Sequence, residues 1–341
     1  MMRIIALIGI FFLLGCSNNN DKKKIRSEIA ILSDSIKKAP RDTRLLFERY
    51  IYNNKRNNLE SAVFDLKQCV QLDSLNDIFH FELARVSFEL SKNPNANVKY
   101  PAFVKKHIKK AIELNDKDYR YHSLLGELLL AYAKYKKAID SFNRSLTIEY
   151  NQPNTHMLMG YAFKQLEQDD NAINCFRNAL NIDPEFKEAF IQLGNIFTLK
   201  ADTLAIIYYN NALNIDPNDE VVLYNKAYFY QSILAWNEAL EAYADLHKIN
   251  AFHSNGHYNI GFIHMELGLY DIAANNFSDA LYGNSEFFEA YYSRGNCFET
   301  LGNISQAESD YRKAIEINPE YVFAIEALEL LEEKNKKFNN K

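Results

Sequence analysis

Small, apolar and aromatic residues recur along this chain with one spacing. Glycines stand at Gly126, Gly160 and Gly194 and again at Gly261 and Gly295, each step within a group being 34 residues. Alanines repeat the step at Ala239, Ala273 and Ala307. Aromatic residues do so at Phe142 and Phe176, then at Tyr243, Phe277 and Tyr311. A fixed period of this length marks stacked copies of one supersecondary unit, none of which can bury its apolar face alone. Only 7 Pro and 11 Gly punctuate 341 residues, while 23 Phe and 22 Tyr supply bulk. The elements therefore read as helices with heavy packing rather than as a turn-rich β fold.

The period divides the chain into eight units: 43–76, 77–118, 119–152, 153–186, 187–219, 220–253, 254–287 and 288–321. Unit 187–219 loses one residue near an inter-helix turn at Ala201 and Asp202. Unit 77–118 gains eight within residues 92–100, ahead of Pro101, which can open a second helix. Residues 25–42 read as a lone N-terminal helix ended by Pro40, and residues 322–341 as a capping helix. Glu326, Glu329, Glu332 and Glu333 give that cap a solvated outer face.

The residues at these places resemble those of the tetratricopeptide repeat (TPR) family. In the last unit Tyr291, Arg294, Gly295, Phe298, Ala307, Tyr311, Ala314 and Pro319 occupy signature positions 4, 7, 8, 11, 20, 24, 27 and 32. Tyr291 replaces the usual Trp and Arg294 the usual Leu. Small residues at positions 8 and 20 let two helices approach, positions 24 and 27 fill the contact with the next hairpin, and Pro at position 32 stops the second helix. The resemblance implies an all-α fold: a right-handed α-α superhelical solenoid of about eight TPR helix hairpins, with a concave groove lined by first helices.

At the N-terminus Arg3 precedes an apolar run over residues 4–14, too short to span a bilayer and suited to the h-region of a signal peptide. Leu13, Leu14, Gly15 and Cys16 resemble a bacterial lipobox. That resemblance implies removal of residues 1–15 and lipidation of Cys16, with residues 16–24 as a polar tether. The expected location is the bacterial cell envelope, on the periplasmic face of the outer membrane, with the bilayer held through acyl chains and no spanning segment. A plain N-terminal anchor is the alternative.

Net charge is −5, which excludes a strongly basic nucleic-acid binder, and four Cys exclude a disulfide-stapled scaffold. The repeat absorbs most tempting chemistry. Five of the nine glycines outside the signal sit at position 8, Gly268 and Gly302 at position 15, and none forms a phosphate loop. His122, His156 and His257 all occupy position 4, a packing place. His253, His257 and His264 lack a completing ligand at metal-site spacing. Cys69 falls at position 27, and Cys175 and Cys297 form no CxxC. No HExxH, Walker loop or nucleophile elbow occurs, and the residues outside the repeats leave no space for a catalytic domain. Neither an enzyme nor a cofactor is expected.

Function is therefore expected in the groove. Position 5 reads Phe47, Phe81, Ser123, Met157, Ile191, Tyr224, Tyr258 and Tyr292 down the chain, and is never the Lys of the family's carboxylate clamp. With Tyr228, Phe262, Met265 and Asn296, the last three tyrosines make an aromatic groove fit for a protein or peptide partner. Packing on the neighbouring unit is the competing role for each ring. In the N-terminal half Arg44, Arg85 and Arg120 mix with Glu48, Glu82 and Glu127, so a partner there is expected to be polar. The leading expectation is an envelope-anchored protein-interaction scaffold. A homo-oligomeric assembly protein and a cell-wall or carbohydrate-binding module are the alternatives.

Overall fold

The computed structural model describes the backbone of residues 19–92 and 101–339, and side chains within 28–92 and 102–335. Cys16, the rest of the lipobox and residues 93–100 of the long loop lie outside the described residues. The chain divides into two compact units, Met1–Leu166 and Glu167–Lys341.

Among the described residues all regular structure is helical. The first unit holds α1 (Asn19–Lys38), α2 (Thr43–Lys55), α3 (Leu59–Leu72), α4 (Asp77–Ser91), α5 (Pro101–Leu114), α6 (Tyr119–Ala131), α7 (Tyr135–Ile148) and α8 (Pro153–Lys164). The second holds α9 (Asp169–Ile182), α10 (Lys187–Leu199), α11 (Leu204–Ile215), α12 (Glu220–Ser232), α13 (Trp236–Ile249), α14 (Ser254–Glu266), α15 (Tyr270–Gly283), α16 (Phe288–Thr300), α17 (Ile304–Ile317) and α18 (Val322–Asn339). Within each unit consecutive helices pack as hairpins, and each hairpin packs on the next. The helices α2, α4, α6, α8, α10, α12, α14 and α16 start on the residues where the 34-residue spacing starts. No helix of the described residues is long and apolar enough to cross a membrane.

The turns explain the period locally. Position 15 of seven units lies at positive φ: Asn57, Ala133, Glu167, Ala201, Leu234, Gly268 and Gly302. At Leu234 the backbone closes as a Schellman cap, Leu234 N–H donating to Gln231 O (3.0 Å) and Ala235 N–H to Tyr230 O (2.9 Å). The same pair of bonds recurs at Gly302 and Asn303. Side-chain caps open several first helices: Asp42, Asn76, Asp118 and Asp219 each accept a backbone N–H at 3.0–3.2 Å.

The core follows from size complementarity between positions 8 and 24. A Cβ added at Gly194 would lie 2.5 Å from the Tyr209 ring, at Gly261 2.8 Å from Phe277 and at Gly295 2.6 Å from Tyr311, and one at Gly126 would strike Phe142. Those aromatic rings are essentially fully buried. In α2/α3 the sizes invert: Tyr50 takes position 8 and Leu66 position 24, both in one buried cluster. The unusual Arg at position 7 also has its reason. Arg294 donates to both carboxylate oxygens of Asp310 (2.8 and 2.7 Å) and to Ser278 Oγ (3.0 Å). Arg49 does the same with Asp65 (3.0 and 2.6 Å) and Ser33 (3.3 Å), at identical sequence offsets.

Candidate partner-binding surface

The residues that the sequence pattern assigns to the groove lie on the first helices. In the second unit the aromatic residues are partly engaged with their own neighbours. Tyr224 is half-buried, its ring 5.4 Å from His253, and its hydroxyl accepts from Asn259 Nδ2 (3.1 Å). Tyr258 packs on Phe277 and Phe287 (5.5 and 4.9 Å between centroids), with Ser293 Oγ 3.4 Å from its hydroxyl. Tyr292 meets Tyr311, Tyr321 and Phe323. Phe262 is half-buried, and Met265 packs against the cluster of Ala273 and Phe277. Tyr228 is the most open of the set, 47% exposed and stacked nearly parallel to Tyr224.

The polar groups of this face are bound from below. Tyr311 donates to Asn296 Oδ1 and sits 2.9 Å from Glu299 Oε2, Tyr243 donates to Gln231 Oε1 (2.7 Å), and Tyr209 donates to Asn195 Oδ1 (2.9 Å). These partners sit at positions 9 and 12 of their units, and the hydroxyls come from position 24. Where position 24 is Phe277, positions 9 and 12 are the apolar Phe262 and Met265. Burial pushes the Tyr209 hydroxyl up to about 12, so it stays a donor at neutral pH.

The first unit carries a cavity of about 510 Å³ on the corresponding face. Its walls come from α4 (Phe81, Arg85, Phe88), α6 (Arg120, Leu124, Glu127) and the start of α8 with the residues before it (Asn151, Asn154). Phe81 and Phe88 are buried, whereas Tyr119, Asn151 and Asn154 are exposed. Arg85 pairs with Glu82 (2.7 Å) and also donates to the Tyr50 hydroxyl (3.0 Å). Arg120 pairs with Asp118 (Nε to Oδ1 2.9 Å), with its guanidinium 5.4 Å from the Phe81 ring centre. Burial holds the Glu127 carboxyl above the usual carboxylate range, opposed by Lys92 and reinforced by Glu89. The sequence pattern singled out Arg85, Arg120 and Glu127; it gave no signal for Phe88, Asn151 or Asn154, which come to the cavity only through hairpin stacking.

The histidines serve packing and capping. His253 Nδ1 accepts from Gly256 N–H (3.0 Å) at the start of α14, and His257 Nε2 lies 2.9 Å from Ala251 O. His80 and His107 meet Nδ1 to Nδ1 at 2.9 Å, and His80 Nε2 lies 3.2 Å from Ser74 O. If His80 Nε2 carries the donor proton, His80 Nδ1 accepts from His107. Among the described residues no three His, Cys, Asp or Glu side chains group to hold a metal ion. Cys69, Cys175 and Cys297 are free and buried, their thiols pushed up by burial to about 12, 12 and 11.

Two stretches of the chain match family models: residues 288–321 the tetratricopeptide repeat, and residues 160–200 the TPR repeat. The chain therefore carries tetratricopeptide repeats at these places. It is 34% identical over 85 residues to the tetratricopeptide repeat-containing protein trd-1 of Caenorhabditis elegans, a match over 25% of this chain and 11% of that protein's length. Among solved structures it is similar to the C-terminal part of a TPR repeat-containing protein from Cytophaga hutchinsonii. That likeness has a TM-score of 0.61 at 16% identity, over 72% of this chain and 99% of the other. It shows the fold: an all-α array of helix hairpins.

Proposed function

We propose that the chain is a non-catalytic scaffold that captures a protein partner on its first-helix faces while held at the bacterial envelope by a lipid on Cys16. The supporting observation is the cavity of about 510 Å³ whose walls are supplied by three successive first helices. A cavity of this size is on the scale of a ligand site, and it is the repeat stacking that builds it. The aromatic face with Tyr228 at its surface is a second contact area, since an open Tyr offers large area at low entropy cost. The N-terminal run ending at Cys16 supports anchoring on the periplasmic face of the outer membrane.

The test is crosslinking capture in envelope preparations, comparing wild type with Asn154→Trp, which fills the cavity from an exposed position, and with Tyr228→Ala. Loss of one captured protein in Asn154→Trp is expected; recovery of the same proteins from wild type and both variants rejects the scaffold reading. Tyr228→Ala is expected to weaken capture by about 2 kcal/mol if that ring is a binding anchor. Anchoring is checked separately: Cys16→Ala abolishes incorporation of labelled palmitate and releases the chain from membranes. Retention of label in that variant rejects Cys16 as the lipid site.

A further inference from the structure

Glu127 departs from the pairing between positions 9 and 24 seen in three other hairpins. In α10/α11 and α16/α17 the residue at that position, Asn195 or Asn296, accepts a hydrogen bond from the tyrosine at position 24. In α14/α15 a Phe at position 24 goes with Phe262 at position 9. In α6/α7 position 24 is Phe142, which has no hydroxyl to give, yet position 9 is a carboxylate. Glu127 is half-buried in the cavity wall and makes no hydrogen bond or ion pair with any described residue.

Among the described residues the charges around it leave this one over. Arg85 is matched by Glu82, Arg120 by Asp118, and Lys92 by Glu89 at 2.8 Å. A half-buried carboxylate without a partner is a costly arrangement, and a bound cation relieves it. The same cavity presents the buried faces of Phe81, Phe88 and Leu124, a lining suited to an alkyl stem. At its rim the exposed side-chain amides of Asn151 and Asn154 make no hydrogen bonds with the described residues, and they can pair with an extended peptide backbone.

From this we infer that the cavity recognises a lysine side chain on an extended segment of the partner, its ammonium paired with Glu127 and its stem laid against Phe88 and Leu124. A compact ammonium suits a single carboxylate, whereas a guanidinium gains most from a bidentate fork and meets two arginines here. The inference rests on the scaffold reading above and specifies its ligand in the first unit.

The test uses the full chain and a fluorescein-labelled, glycine- and serine-rich nonapeptide with one central lysine, read by anisotropy. Binding is expected to weaken at least about tenfold when the lysine is Nε-acetylated, and equally in Glu127→Gln, an isosteric change checked for folding by circular dichroism. Phe142→Tyr supplies the missing hydroxyl; it is expected to occupy Glu127 and weaken the peptide severalfold while keeping the fold. Binding is also expected to fall on acidification, because Glu127 must be ionised and burial raises its titration. Equal affinity for the lysine and acetyl-lysine peptides, equal affinity for an arginine peptide, unchanged binding in Glu127→Gln, or no binding by about 1 mM each overturns the inference. If the peptide fails while Asn154→Trp still abolishes envelope capture, lysine recognition falls and the scaffold stands. If capture is also indifferent to both Asn154→Trp and Tyr228→Ala, both fall.

Discussion

In α6/α7 the aromatic residue at position 24 is Phe142; in α16/α17 it is Tyr311. Both rings are fully buried and both face a glycine at position 8. The difference is one hydroxyl. Tyr311 donates to Asn296 on the first-helix face, Glu299 lies 2.9 Å from the same hydroxyl, and Lys334 reaches Glu299 as well (2.8 Å). Phe142 binds nothing polar, and Glu127 is left facing a cavity. One scaffold geometry thus gives a self-satisfied surface in one region and an unsatisfied one in another. The control lies on the second helix, beneath the surface, and not among the residues exposed on it.

Five changes break or sharpen that comparison, from the largest expected effect down. Truncating the ring itself is the most severe. Phe142→Ala should cost about 4 kcal/mol, and Tyr311→Ala about 1 kcal/mol more because Asn296 loses a partner, as read from urea unfolding midpoints. Equal losses would mean that the hydroxyl contributes nothing. The hairpins α2/α3 and α16/α17 carry the same buried Arg–Asp pair, with the Asp65 and Asp310 side chains 1% and 8% exposed. Asp65→Ala and Asp310→Ala should each cost about 3 kcal/mol by stranding a guanidinium, and the double change Arg49→Met with Asp65→Leu should recover most of the loss.

Acid should weaken each of the two compact units through a histidine. Burial lowers His107 and His247 to about 4 from the ordinary 6.5. His107 is lowered further by His80, Lys106 and Lys67, and His247 by His257 and His253. The unfolded chain takes up protons first, so this contribution is intact above pH 6.5 and is lost progressively down to about 4. The melting temperature should fall over that window, and His107→Leu should flatten the slope; an unchanged slope in that variant excludes His107 as its source. Moving the hydroxyl is subtler. Phe142→Tyr should stabilise by about 1 kcal/mol and Tyr311→Phe destabilise by a similar amount, and shifts of the same sign would end the comparison. The smallest effect lies in the turns. Leu234 holds φ 61°, where Gly302 holds 77°. Leu234→Gly should raise stability by up to about 1 kcal/mol by relieving left-handed strain, whereas Gly302→Leu should lower it. A drop in melting temperature for Leu234→Gly would show that the side chain, not the backbone, decides at that turn.

Much of the fold was legible because a solenoid is local. The glycine, alanine and aromatic spacing reports helix pairs adjacent in sequence, and those are the pairs that pack. The replacement of Leu by Arg294 was visible, but its meaning was not. Asp310 and Ser278 lie 16 residues to either side and look like ordinary surface residues until the hairpins stack. The candidate site was legible only in part. Arg85, Arg120 and Glu127 could be seen as a polar run, and Tyr224, Tyr258 and Tyr292 as an aromatic one. Which of these groups already had partners was hidden, because satisfaction is a property of distances between helices rather than of residue type. Asn296 and Glu127 hold the same place in their repeats and are both polar.

The sequence alone determined the period, the all-helical class and the places where helices meet closely, since each depends on contacts within about one repeat length. The tertiary structure decided which first-helix groups remain available. A hydroxyl on the second helix either satisfies a first-helix polar group or is missing beneath it, and only the packed hairpin brings the two within hydrogen-bond distance.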